Sequence, residues 1–169
     1  MKEISTERLL LRPFRKGDAD AMYRNWTSDD RVSNFCRWYT HKDVSETEQF
    51  LNYCMNAEYC YAITLKDINE PIGCIDLVGM GADGSPEIGY VLGYDYWNKG
   101  IMTEAVSAII RDLFSKGYNK IEACHNINNP ASGKVMEKCG IIYSRNAKGI
   151  VKFGSNEQCD LRYYEIIKK

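Results

Sequence analysis

The chain has 169 residues, 44% of them hydrophobic and 27% charged, which excludes a disordered tail, a coiled coil or a collagen-like repeat and suits one domain with its own core. Its 22 Lys and Arg balance 23 Asp and Glu, so the net charge of −1 argues against a broad nucleic-acid or anionic-membrane footprint. No apolar run approaches the roughly 20 residues of a membrane span, and the acidic start Met1-Lys2-Glu3-Ile4-Ser5 lacks an apolar signal region, so a cytoplasmic protein is expected.

Ile4 to Arg12 reads as a first strand, stopped by Pro13. Asp18 can cap a helix whose stripe is Ala19, Met22, Tyr23 and Trp26. Asp43 with Glu46 resembles a capping box ahead of a second stripe, Val44, Thr47, Leu51, Cys54 and Met55. Three strands follow, Tyr59 to Leu65, Ile72 to Met80 and Glu87 to Leu92, with connections short enough for an antiparallel meander. Met102, Ala105, Val106, Ile109, Ile110 and Leu113 mark one face of a helix that stops near Gly117. Lys120 to His125 is the next strand, and Pro130 opens a helix with Val135, Met136 and Cys139 inward. Strands near Ile141 to Arg145 and Gln158 to Ile167 complete the chain.

This order predicts an α/β (α+β mixed) domain over 1–169: a mostly antiparallel sheet of six to seven strands, about four helices, and strands 87–92 and 120–125 parallel through a crossover helix. Seven cysteines show no Cys-x-x-Cys pair and no His at ligand spacing beyond Cys124-His125, so reduced packing thiols and no metal site are expected. No heptad repeat marks an oligomer seam, which leaves monomer or homodimer open.

One local feature points to a ligand. Gly100 precedes a helix start, where the first four amides lack intrahelical partners and the helix dipole favours an anion such as a diphosphate; Lys99 adds a cation. Taken alone, a glycine before a helix is usually just a turn. The spacing matches neither a Walker loop nor a Gly-x-Gly-x-x-Gly fingerprint.

The stretch Trp97-Asn98-Lys99-Gly100-Ile101-Met102-Thr103-Glu104-Ala105 resembles the acetyl-CoA pyrophosphate loop of the GCN5-related N-acetyltransferases (GNAT), in the branch of RimJ/RimL-like enzymes. Asn129-Pro130-Ala131-Ser132-Gly133-Lys134 through Gly140 resembles that branch's second signature, and Thr6-Glu7-Arg8-Leu9-Leu10-Leu11-Arg12 its opening strand. Asp160 and Tyr164 fall at familiar places in the last strand, so the resemblance spans nearly the whole chain.

The resemblance implies a GNAT fold in which the two parallel strands splay and acetyl-CoA, as cosubstrate, lies in the gap. Backbone groups of Val91 and Leu92 would hold the pantetheine arm, and the amides of Asn98, Lys99, Gly100, Ile101, Met102 and Thr103 the pyrophosphate. Asn129 would touch the cofactor arm, or else serve only as a helix cap before Pro130. The implied reaction moves an acetyl group to a primary amine by direct attack in a ternary complex; the acceptor is a protein N-terminal α-amine or a small-molecule amine. Glu87 is the candidate base, acting through water, against its alternative as a surface residue; Glu122 and His125 are second candidates. Ser132 is the candidate acid for the departing thiolate, because Met136 stands where many relatives place a tyrosine. Trp97 and Met102 depart from the wider loop pattern without removing a backbone donor. Phe35, Trp38 and Tyr39 are expected to shape the acceptor pocket, with Trp26 either beside them or covering the sheet. The alternatives are a non-catalytic acyl-CoA-binding sensor and an interaction module using the aromatic surface.

Overall fold

The computed structural model describes residues 1–169. In chain order its elements are β1 (Ile4–Ser5), β2 (Leu9–Pro13), α1 (Ala19–Met22) running into a π-helical turn (Tyr23–Thr27), α2 (Asp30–Ser33) and α3 (Val44–Asn56). Then come β3 (Cys60–Leu65), β4 (Pro71–Met80), β5 (Pro86–Leu92), a 3₁₀ turn (Tyr94–Tyr96), α4 (Ile101–Ser115) and β6 (Lys120–Asn126). The chain ends with α5 (Pro130–Lys138), β7 (Ile142–Ile150) and β8 (Gln158–Ile167). The eight strands form one sheet in the order β1-β2-β3-β4-β5-β6-β8-β7, and only β5 and β6 pair in parallel.

Alternation along the strands sends side chains to two cores. On one face Leu9, Leu11, Ile63, Ile75 and Ile88 pack under α4 and α5, with Ala105, Val106, Ile109, Leu113 and Met136 descending onto them. On the other, Phe14, Ala62 and Cys74 pack under Met22, Trp26, Leu51 and Cys54 of the N-terminal helices. Burying one side of each amphipathic helix against the sheet supplies the main stabilising force. All seven cysteines are free thiols, several of them packed as small apolar residues.

The observed sheet differs from the expected one at identifiable points. The first strand is two, because Thr6 turns the chain by accepting Leu9 N–H on its hydroxyl at 3.0 Å. β4 opens at Pro71, one residue before the expected Ile72. Asp18 makes no cap to α1; its carboxylate faces Arg12 instead, at 2.9 Å from both Nη atoms. Asp43 does cap α3, accepting from Ser45 N and Glu46 N, while Glu46 reaches back to Lys42 N rather than Asp43 N. Met55, placed on the inward stripe, is exposed.

Arg12 is 2% exposed and uses every donor: two to Asp18, two to Asn69 and one to the Pro13 carbonyl. Removing one partner of a buried pair leaves an uncompensated charge, at about 3–5 kcal/mol. Arg12→Ala is therefore expected to lower unfolding free energy by about 3–5 kcal/mol in urea titration. A loss below about 1 kcal/mol would mean that water replaces the guanidinium without penalty.

Candidate active site

The loop before α4 is built to present amides. Asn98 and Gly100 adopt left-handed backbone, with φ of 59° and 72°, and the N-cap Gly100 supplies no side chain to satisfy the helix start. A side chain at Gly100 would be strained by that φ, whatever space were free. The first bond of α4 runs from Glu104 N to Gly100 O, so the amides of Asn98 to Thr103 find no acceptor in the chain. Six unpartnered donors thus gather at the positive end of a 15-residue helix.

A clasp from the N-terminus holds this loop. Glu104 accepts from Thr6 Oγ1 at 2.6 Å, Arg8 N at 2.9 Å and Arg8 Nε at 2.7 Å, while Arg8 Nη1 donates to Lys99 O at 2.8 Å. Residues some 96 positions apart in sequence therefore meet in one network. Burial opposes ionisation of Glu104, but hydrogen bonds from Thr6 and Arg8 outweigh it and hold the carboxyl below its ordinary value.

Beside the loop the sheet opens. The β5–β6 ladder consists of Glu87↔Glu122 and Ile88↔Ala123 and then ends. Gly93 N donates to Ile72 O, and Gly73 faces Leu92, so alternation turns the backbone groups of Val91 toward β4 and those of Tyr90 and Leu92 toward the gap. Val91 therefore contributes its side chain rather than the expected free amide. The Leu92 carbonyl is taken by Trp97 Nε1 at 2.8 Å. Across the gap, Tyr90 Oη donates to Ser132 O at 3.0 Å and lies 2.9 Å from Ser132 Oγ.

Loop, gap and the N-terminal aromatics line one continuous cavity of about 830 Å³. It brings together Glu87, Val91, Leu92, Asn98, Gly100, Ile101, Met102, Thr103, Asn129, Ser132, Phe35 and Trp38. Lys99 lies outside the lining, with its carbonyl committed to Arg8. Tyr39 also lies outside: it is 60% exposed, with Lys152 Nζ 5.7 Å from its ring centre. Trp26 is fully buried under the sheet. Asn129 caps α5 through Ser132 N at 3.3 Å and still reaches the cavity wall, so its two readings coexist.

The titratable groups divide by partner. Glu87 accepts from the Cys124 thiol at 3.2 Å and from Tyr163 Oη at 3.4 Å, facing the cavity at the foot of the gap. Burial pushes the Cys124 thiol up to about 12, which suits a hydrogen-bond donor rather than a nucleophile. Glu122 is tied to Arg145 and Lys120 and does not line the cavity. His125 donates from Nδ1 to the Asn126 carbonyl and packs its other nitrogen, unpartnered, against Gly133. Met136 is fully buried, so its position belongs to the core and offers no acid. No three His, Cys, Asp or Glu side chains converge as a metal-holding group.

Sequence reading missed Tyr90, Arg37 and Asp76, all in the lining. Tyr90 was legible as a gap residue only once the alternation of β5 was known. Asp76 stood in an otherwise apolar strand, Ile72-Gly73-Cys74-Ile75-Asp76-Leu77, which was the available signal.

Residues 8–142 match the Acetyltransferase (GNAT) domain family. The chain belongs to the GNAT acetyltransferase family. Among its GNAT relatives, the uncharacterized N-acetyltransferase p20 of Bacillus licheniformis is 32% identical over 80% of each chain. The uncharacterized N-acetyltransferase YnaD of Bacillus subtilis is also 32% identical, over 98% of this chain and 97% of that protein. A GNAT acetyltransferase structure from Bacillus anthracis superposes with a TM-score of 0.87 at 30% identity, covering 98% of both chains. At 18% identity and a TM-score of 0.81, the fold is shared with RimL, a ribosomal L7/L12 α-N-protein acetyltransferase crystallised with coenzyme A, over 98% of each chain. This GNAT chain is thus an acetyltransferase, and no helix in it is long and apolar enough to cross a membrane.

The lowered carboxyl of Glu104 sets a pH signature. A depressed folded-state value adds stability above the ordinary glutamate range, and that stability is lost as pH falls through the folded value. Glu104→Gln is expected to cost about 1–3 kcal/mol at neutral pH, the range for charge-assisted bonds. The deficit against wild type should shrink below about pH 4.3. Denaturation curves from pH 3 to 7 read this directly; a deficit independent of pH would place the stabilisation in packing.

Proposed function

We propose that this enzyme transfers an acetyl group from acetyl-CoA to a primary amine by direct attack in a ternary complex. The observation that carries the reading is the row of unpartnered amides from Asn98 to Thr103, opening into a cavity continuous with the β5–β6 gap. Two left-handed residues, a helix start and six free donors fit a diphosphate, and the unpaired edge of β5 fits an extended amide-bearing arm. The cosubstrate supplies an acyl carbon activated by a thioester.

The chain's own groups then divide the work. Amides 98 to 103 hold the diphosphate, with Lys99 adding positive charge at the surface. The N–H groups of Tyr90 and Leu92 face the gap, where they hold the arm and stabilise negative charge developing on an acyl oxygen. Asn129 and Ser132 present polar groups from the start of α5. Ser132 is the candidate donor to the departing sulfur. Tyr90 Oη lies 2.9 Å from Ser132 Oγ, so once Ser132 gives up its proton the phenol can turn its own from the Ser132 carbonyl to Oγ. A thiol's ordinary value near 8.5 also lets solvent protonate it. Proton removal from the amine falls to the acceptor face, where Glu87 works through water. Phe35 and Trp38 wall the acceptor side. The structural neighbour RimL is a ribosomal L7/L12 α-N-protein acetyltransferase, which supports an α-amine as one acceptor class.

Calorimetric titration with acetyl-CoA, paired with a thiol-release assay over a panel of amines, tests the reading. Binding and amine-dependent release of free CoA are expected, and Gly100→Glu should weaken binding by about tenfold or more through strain and charge repulsion. Binding without release for any amine would favour a non-catalytic acyl-CoA sensor. Glu87→Gln should leave acetyl-CoA affinity intact and reduce kcat about 100-fold, the lower range for general base catalysis. An unchanged kcat would remove Glu87 from the proton path.

A further inference from the structure

Asp76 sits at the centre of β4, opposite Gly89 of β5 and Cys60 of β3. Its Oδ1 lies 3.4 Å from the point where a Cβ on Gly89 would stand. Gly89 is the first residue beyond the end of the β5–β6 ladder, so this carboxylate overlies the opening of the gap. It forms no salt bridge, and the one hydrogen bond it receives comes from its own backbone. Around the same cavity the rings of Trp38, His41, Phe50 and Tyr53 form a chain, with successive centroids 5.5, 6.1 and 6.2 Å apart.

A half-buried carboxylate without a cation from its own chain, at the end of an aromatic-walled recess, is a receptor for an external ammonium. The negative charge supplies the attraction and the ring faces supplement it. None of the cavity's three cations, Arg37, Lys134 and Lys138, forms a salt bridge to it; Arg37 directs Nη2 toward Cys124 Sγ at 3.7 Å.

We propose that Asp76 binds the acceptor in its ammonium form, takes one proton from it, and selects primary amines carried on an apolar or aromatic frame. This deepens the acetyltransfer reading and rests on it. One N–H bond breaks and an O–H bond forms on Asp76, leaving a neutral amine. Its lone pair makes the new C–N bond at the acyl carbon, and the C–S pair leaves with sulfur. The second N–H proton ends on that sulfur, and the first passes through water and Glu87 to solvent. Asp76 touches the nitrogen; Glu87 serves as the second station.

The electrical setting agrees. Burial pushes the Asp76 carboxyl up to about 7, matched to proton transfer near neutral pH. The groups facing it are Tyr53 and Cys54 from α3, Cys60 from β3 and Cys74 on its own strand. Glu87 of β5, with Arg37 and His41 from the connector, lines the same cavity. Because the folded value lies above the ordinary one, the folded state is penalised as pH rises from about 4 through 7.

The test is steady-state kinetics of wild type and Asp76→Asn with phenethylamine, its less basic β,β-difluoro analogue and spermidine, alongside acetyl-CoA calorimetry. In wild type, kcat/KM should be higher for the phenethylamines than for spermidine. Its acid limb should lie near pH 7 for both phenethylamines. Asp76→Asn should keep acetyl-CoA affinity within about twofold, lose about 100-fold or more in kcat/KM, and lose the limb. It should also melt at a higher temperature than wild type at pH 8, which separates lost chemistry from lost folding. A limb that moves with the amine's own basicity would overturn the assignment, as would a variant that keeps kcat/KM or a preference for spermidine. In those cases acetyl transfer itself would stand. A wild type that releases no CoA with any amine would overturn both.

Discussion

Two rungs of parallel pairing, followed by separation, govern the architecture of this site. Glu87↔Glu122 and Ile88↔Ala123 tie β5 to β6, and beyond them each strand keeps its other neighbour while losing this one. A strand edge in the middle of a sheet is costly unless its donors are used. Here Trp97 takes the Leu92 carbonyl, and Tyr90 anchors to Ser132 across the opening. The remaining amides of Tyr90 and Leu92 stay available. The bulge of β4 at Val78, where the register shifts between Leu77 and Gly79, bends β4 alongside β5 just where the ladder with β6 begins. The gap is thus held from three sides rather than left as a defect.

The second constraint is the clasp on Glu104. The loop carries six amides without acceptors, and the left-handed backbone of Asn98 costs conformational energy. Thr6 and Arg8, fixed by the turn between β1 and β2, offset that cost by gripping Glu104 and the Lys99 carbonyl. Prior alignment of donors removes the ordering cost from binding. A similar device operates at the acceptor end, where Lys152 Nζ donates to the carbonyls of Ser33, Cys36 and Trp38. That single ammonium, carried on the β7–β8 connection, pins the segment that bears Phe35 and Trp38.

The separate legibility of fold and site follows from these contacts. Helical stripes such as Met102 to Leu113 and the β3–β4–β5 meander could be read because burial imposes a period on each element. The loop 97–105 and the segment 129–140 were legible through resemblance, since their backbone geometry demands particular residues. Pairings over long separations left little trace. Nothing local in Thr6 or Arg8 announces a partner at Glu104, and Asp18 reads as a cap until Arg12 is seen beside it. Tyr39 looked equivalent to Trp38, yet the chain direction there turns one ring inward and the other toward Lys152. The facing of Val91 depended on register, which a one-residue slip reverses.

Asp76 shows why a functional residue can be hidden by an ordinary one. In sequence it is a single acid in a strand read from Ile72 to Met80, and nothing local says what lies over it. In the folded sheet the strand does run to Met80, and the acid is held in its middle, over Gly89 and beside Cys60. A carboxylate there weakens folding at neutral pH, because desolvation opposes its charge while no neighbour compensates. Glu104 presents the opposite case: its charge is held by three donors and stabilises the loop. One acid is satisfied by the chain and therefore structural, whereas the other is left unsatisfied by the chain and open to the cavity. The difference between them is the physical ground for assigning the amine to Asp76, since only a cation brought in by a ligand completes its electrostatics.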